Sequence, residues 1–132
     1  METQTLSLSA GRKVVLAPFT KTVDYDLPRP FVALLPASNA ADCGLACEIM
    51  TRLSELGCIE VCCVGPAAEQ MHDQLDVIIE ASGALETLTT WFGDGRDACE
   101  YVLFAAGGGN FSLLALVLDQ PELAAILKEA AR

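Results

Sequence analysis

The chain has 132 residues, 52% of them hydrophobic and 20% charged, which suits one packed core and argues against a disordered chain. Its net charge is −10, and between Leu53 and Leu127 the only basic residue is Arg96, against twelve Asp and Glu. Nucleic acids and anionic membrane surfaces are bound by clustered Lys and Arg, so neither is expected as a partner.

No apolar run approaches the roughly 18 residues of a membrane span. The start, Met1 to Gly11, lacks the basic-then-apolar pattern of an export signal, so residues 1–12 are expected to be a polar tail on a single domain. Six cysteines without an export signal point to a reducing, cytoplasmic setting.

Val14 to Phe19 is a β-rich run, and Pro28 and Pro30 forbid a regular helix in the connection after it. Phe31 to Pro36 is continuously apolar, the pattern of a strand buried on both faces. A crossover without a helix is unusual between parallel strands, so an antiparallel edge is one option for the first strand, whose direction the sequence leaves open. Ala41 to Leu56 reads as a helix, with Ser38, Asn39 or Asp42 as its cap and Gly57 as its stop. Ile59 to Gly65 is the next strand. A helix follows from Pro66 to about Ala81, with Met71, Leu75 and Ile78 as its apolar stripe. Glu69, Asp73, Asp76 and Glu80 lie opposite that stripe. Thr87 to Phe92 is β-branched and aromatic, hence a strand. Asp97 can open a helix over Ala98 to Ala106, and Gly107 to Asn110 stop it. Phe111 to Asp119 reads as a buried strand, with a short helix as the alternative. Pro121 starts a final helix carrying Leu123, Ile126, Leu127 and Ala130 on one stripe.

Alternating strands and helices predict a three-layer α/β sandwich of the Rossmann-like or flavodoxin-like kind. Its mostly parallel sheet has about five strands, with helices on both faces. Ligands in such folds bind beyond the carboxyl ends of the strands. That rim is expected from Ala37 to Asp42, Gly65 to Glu69, Phe92 to Asp97 and Asp119 to Pro121. The run Gly107-Gly108-Gly109-Asn110 follows a helix and precedes a strand, so it falls at the opposite rim as a turn. Neither the dinucleotide fingerprint nor the P-loop is present, and no cofactor is expected.

Several residues carry chemistry that their spacing permits. Ser38, Asn39, Asp42 and Gly65 could offer small polar contacts, although the first three equally suit a helix cap. Asp94 and Asp97, near Trp91, could hold Mg²⁺ or act as acid and base; the alternative is an Asp-Gly turn with an N-cap. His72 is the only histidine, so a two-histidine zinc site cannot form within one chain. It stands three residues after Glu69 and four before Asp76, as in a surface ion pair. Cys43 and Cys47 lie one turn apart near a helix start, where the dipole lowers thiol pKa. With Cys62 or Cys63 they could form a redox or soft-metal site, or simply fill the core.

Three stretches carry a resemblance: Leu27-Pro28-Arg29-Pro30-Phe31-Val32-Ala33-Leu34-Leu35, Cys63-Val64-Gly65-Pro66 with His72-Asp73, and Thr89-Thr90-Trp91. Together they make the sequence similar to a family of small, uncharacterised bacterial α/β proteins. In that family a tryptophan precedes the glycine and a histidine follows Thr-Thr-Trp; here those places hold Val64 and Phe92. The resemblance implies the same fold and brings no activity with it.

The missing catalytic motifs and the apolar composition favour a non-catalytic interaction protein, either self-associating or an accessory subunit. The C-terminal helix is a candidate contact unless its stripe faces the protein's own sheet. A ligand-binding domain or enzyme using Trp91, Asp94 and Asp97 is the alternative, and thiol chemistry is the third.

Overall fold

The computed structural model describes residues 3–8, 11–84 and 86–132. Six strands form one sheet: β1 (Gln4–Ser7), β2 (Lys13–Leu16), β3 (Phe31–Pro36), β4 (Cys58–Val64), β5 (Leu88–Phe92) and β6 (Ser112–Ala115). Four helices, α1 (Ala40–Glu55), α2 (Ala68–Ser82), α3 (Gly95–Phe104) and α4 (Pro121–Ala130), alternate with the later strands. The strand order is β1-β2-β6-β3-β4-β5, and every pairing is parallel except β1 with β2. The result is the expected three-layer α/β sandwich, with six strands where about five were expected.

The continuously apolar β3 lies near the middle of the sheet with all six residues buried, because it is covered on both faces. On one face α1 and α2 contribute Ile49, Met50, Leu53, Met71 and Leu75 to the core. On the other, α3 and α4 contribute Cys99, Val102, Leu103 and Leu127. Successive residues of β4 feed opposite layers, so Cys63 joins the first and Cys62 the second.

The chain steps outward from β3 to β4 to β5, then returns across the sheet to β6 on the far side of β3. Right-handed crossovers place α1 and α2 on one face and send α3 over the other on that return. Counted from β5, the helix-linked strands run third, second, first, fourth, the doubly wound order. The two windings diverge between β3 and β6, where a crevice opens at the carboxyl ends.

Three sequence expectations need correction. The polar start is not all tail, because Gln4–Ser7 pairs antiparallel with β2. The antiparallel-edge option for β2 does not hold, since β2 lies between β1 and β6 and runs parallel to β6. Its connection to β3 dispenses with a helix because Val23 is buried, and Phe19, Tyr25 and Leu27 pack against the α1 face. Finally, Asp94 rather than Asp97 caps α3, its carboxyl accepting the Asp97 amide at 3.1 Å. Asn39 caps α1 as expected.

One carboxyl group is buried in the second layer. Glu60, 4% exposed on β4, accepts hydrogen bonds from Tyr101 Oη at 2.5 Å and from Thr90 Oγ1 at 3.1 Å. These contacts join β4, β5 and α3, and the Phe92 and Tyr101 rings meet beside them with centroids 5.1 Å apart. Burial, followed by the Glu60 contact, pushes the Tyr101 phenol up to about 12.

Tyr101→Phe is therefore expected to destabilise the fold by about 1–3 kcal/mol, the cost of a buried acceptor short of a donor. Urea unfolding measures it. The raised phenol adds a pH signature. Stability gained by keeping Tyr101 neutral is complete below its ordinary pKa of about 10 and is lost as pH rises through about 12. The gap between wild type and variant should narrow across that window.

Candidate functional site

The crevice at the carboxyl rim is a cleft of about 670 Å³. Ser38 borders it after β3, Gly65 and Pro66 after β4, Gly93 to Gly95 after β5, and Gln120 to Leu123 after β6. Gly65 has no substitute here: its φ is +131°, and a Cβ would stand 2.6 Å from the Ala37 carbonyl oxygen. That close approach lets Ala67 N donate to Ala37 O at 2.8 Å, tying the β3 and β4 loops together.

Of the residues expected at a ligand site, Ser38, Gly65 and Asp94 line this cleft, whereas Asn39, Asp42, Trp91 and Asp97 do not. Asn39 and Asp42 are engaged at the start of α1. Asn39 Oδ1 accepts the Asp42 amide at 3.0 Å, and Asp42 Oδ2 accepts the Ser38 amide at 2.9 Å. In a dinucleotide-binding fold such amides would meet a pyrophosphate. Asp94 likewise occupies the start of α3, and α4 begins with a proline that has no N–H. The cleft's charged lining is Asp94 and Glu122, with no Lys or Arg. It suits neutral or cationic groups and disfavours phosphate.

A second cleft of about 640 Å³ lies at the amino rim, bordered by Arg29, Ser54, Gly57, Gly83, Glu86 and Thr87. The hydroxyls of Ser54 and Thr87 are 3.2 Å apart, and Thr87 donates to Cys58 O at 3.3 Å. These bonds close the sheet end beneath the α1 terminus. The glycine run lies at the same rim, as a turn over Ala106–Gly109. A Cβ on Gly109 would stand 2.5 Å from Phe104 O, so the run serves the backbone path.

Five of the six thiols are buried and Cys47 is half-buried. Cys43 is buried and donates to Ala67 O at 3.9 Å; half-buried Cys47 donates to Gln74 Oε1 at 3.8 Å. Desolvation raises both thiol pKa values, and for Cys43 the neighbouring Cys47 and Asp42 add to it. Burial pushes Cys58 and Cys62 up to about 12 and Cys99 to about 11. Cys63 is raised further still, by burial first and then by Cys62 and Cys43. Among the described residues no three His, Cys, Asp or Glu side chains converge to hold a metal ion. His72 stands on the flank of α2, Nδ1 3.1 Å from Asp73 Oδ1 and Nε2 3.6 Å from Asp76 Oδ2.

The feature that sequence reasoning missed is the outer edge of β5. This strand pairs with β4 in regular register, Glu60 opposite Leu88 through Val64 opposite Phe92, and ends the sheet. Leu88 is 61% exposed and Trp91 44%. Phe92 O accepts from Gly65 N at 3.0 Å, so by alternation the backbone of Leu88, Thr90 and Phe92 faces β4. The N–H and C=O groups of Thr89 and Trp91 therefore point outward. No proline, lysine or bulge protects this edge, whereas the opposite edge, β1, has four residues of mostly polar sequence. The stripe of α4 offers no comparable surface: Leu127 and Ala124 are buried, and Leu123, Ile126 and Ala130 pack against the protein's own core.

No helix among the described residues is long and apolar enough to cross a membrane. Treatment with iodoacetamide at neutral pH should give at most one slow adduct on the folded protein, at Cys47, with six appearing only on unfolding. Peptide mass mapping checks this, and rapid labelling of Cys43 would contradict it.

No curated protein matches the chain. Residues 13–125, from β2 into α4, match the model of a domain of unknown function, DUF7684, and the chain belongs to that family.

Proposed function

We propose that this is a non-catalytic interaction protein, self-associating or an accessory subunit, whose contact surface is the open edge of β5. The observation that carries this reading is the pairing of outward backbone groups at Thr89 and Trp91 with exposed Leu88 and Trp91 side chains. Natural sheets blunt such edges unless something covers them. A strand added there would satisfy the backbone groups and bury both side chains.

A second reading is supported by the carboxyl-rim cleft, whose position between the diverging windings is where doubly wound folds hold ligands. Its lining favours a neutral or cationic small molecule over a nucleotide.

Native mass spectrometry of the protein purified from its own host separates the two. An oligomer or stoichiometric polypeptide complex, lost in a Trp91→Asp variant that still folds, is the expected result. A monomer retaining a small molecule, unchanged by that variant and released by Asp94→Leu, would favour the cleft.

A further inference from the structure

Resting on the interaction reading, we infer that β5 accepts an extended partner segment in which Lys or Arg alternates with apolar residues, rather than a second copy of this chain. The argument is one of charge around the open edge. Glu69, Asp73, Asp76 and Glu80 step along α2 by four, three and four residues, forming one stripe down its length. Thr89 Oγ1 donates to Asp76 Oδ1, which fixes that stripe beside β5.

On the other face, Tyr101 turns toward β4 and β5 through its bond to Glu60. Asp97 and Phe104 lie four residues before and three after it, on the same flank of α3. Asp97 is exposed, and Phe104 adds apolar surface at the amino-rim end of α3, the end where β5 begins. The edge thus presents an acidic margin on the α2 face and mostly apolar surface, Leu88 and Phe104, on the α3 face. Arg96 is the only arginine or lysine anywhere from α2 through α3.

Antiparallel pairing of two β5 edges about a two-fold axis would set one α2 acidic stripe beside the other. Each copy also carries a net charge of −10. Like charges brought together at an interface oppose it, whereas an alternating strand turns all its Lys or Arg to the α2 stripe and all its apolar side chains to Leu88 and Phe104 on the other face.

The chain has a single tryptophan, so its fluorescence reports on β5 directly. The test titrates the full chain with a nine-residue peptide alternating valine with lysine, and with its valine–glutamate counterpart. Sedimentation of the protein alone reports self-association. The lysine peptide is expected to shift Trp91 emission and to bind at least tenfold more tightly than the glutamate peptide. Its affinity should fall as salt rises. Thr89→Pro, which removes an outward N–H, should abolish binding, and Asp73→Lys with Glu80→Lys should reverse the charge preference.

Equal binding of both peptides, or binding unaffected by Thr89→Pro, would overturn the inference. A dimer that buries Trp91 would also overturn it, while leaving the interaction reading in place. A monomer whose Trp91 responds to neither peptide would remove both.

Discussion

The crossover from β5 to β6 governs the rest of this structure. After stepping outward through β4 and β5, the chain must return past β3, and right-handedness sends it over the opposite face as α3. That single connection covers the second side of the central strand and opens the carboxyl-rim crevice. It also leaves β5 at the end of the sheet, with no later strand to pair with it. Site and surface are thus both consequences of the chain path, not of a local motif.

The carboxyl rim in this fold is the usual place for chemistry, yet here its amide donors are largely committed. Asn39, Asp42 and Asp94 satisfy backbone N–H groups at the starts of α1 and α3. A phosphate arriving there would have to displace charged or amide caps, each stabilising its helix by about 1 kcal/mol. The β5 edge is in the opposite condition. Among the described residues its outward backbone groups have no partner strand, and its exposed Leu88 and Trp91 side chains are apolar. Hydrogen-bond accounting therefore separates a rim satisfied from within from an edge that is not.

Much of this was legible in the sequence where local forces decide. Asn39 and Gly57 bracket α1, Gly83 ends α2 in a left-handed turn, and Pro121 starts α4. Ser38, Gly65 and Asp94 were assigned to the correct rim because strand-to-helix order fixes which end a loop occupies. The cap of α3 was misassigned because Asp94 and Asp97, three residues apart, each suit the position. Strand order was not legible, since it depends on which face each helix packs against, a non-local choice. That is why Leu-Thr-Thr-Trp-Phe could be recognised as a strand but not as an edge. Gln4–Ser7 was missed because a short polar edge strand lacks the burial that gives strands a pattern. Glu60, alone within Cys-Ile-Glu-Val-Cys-Cys-Val, was a readable anomaly, and its partners Thr90 and Tyr101 were not.

Amide hydrogen exchange over residues 87–92 addresses the central claim most directly, comparing host-purified protein with the isolated recombinant chain. The account predicts that Thr89 and Trp91 exchange freely in the isolated chain and are protected in the host-purified assembly, while the β4-facing amides of Thr90 and Phe92 stay protected in both. Equal, fast exchange at Thr89 and Trp91 in the two preparations would contradict it.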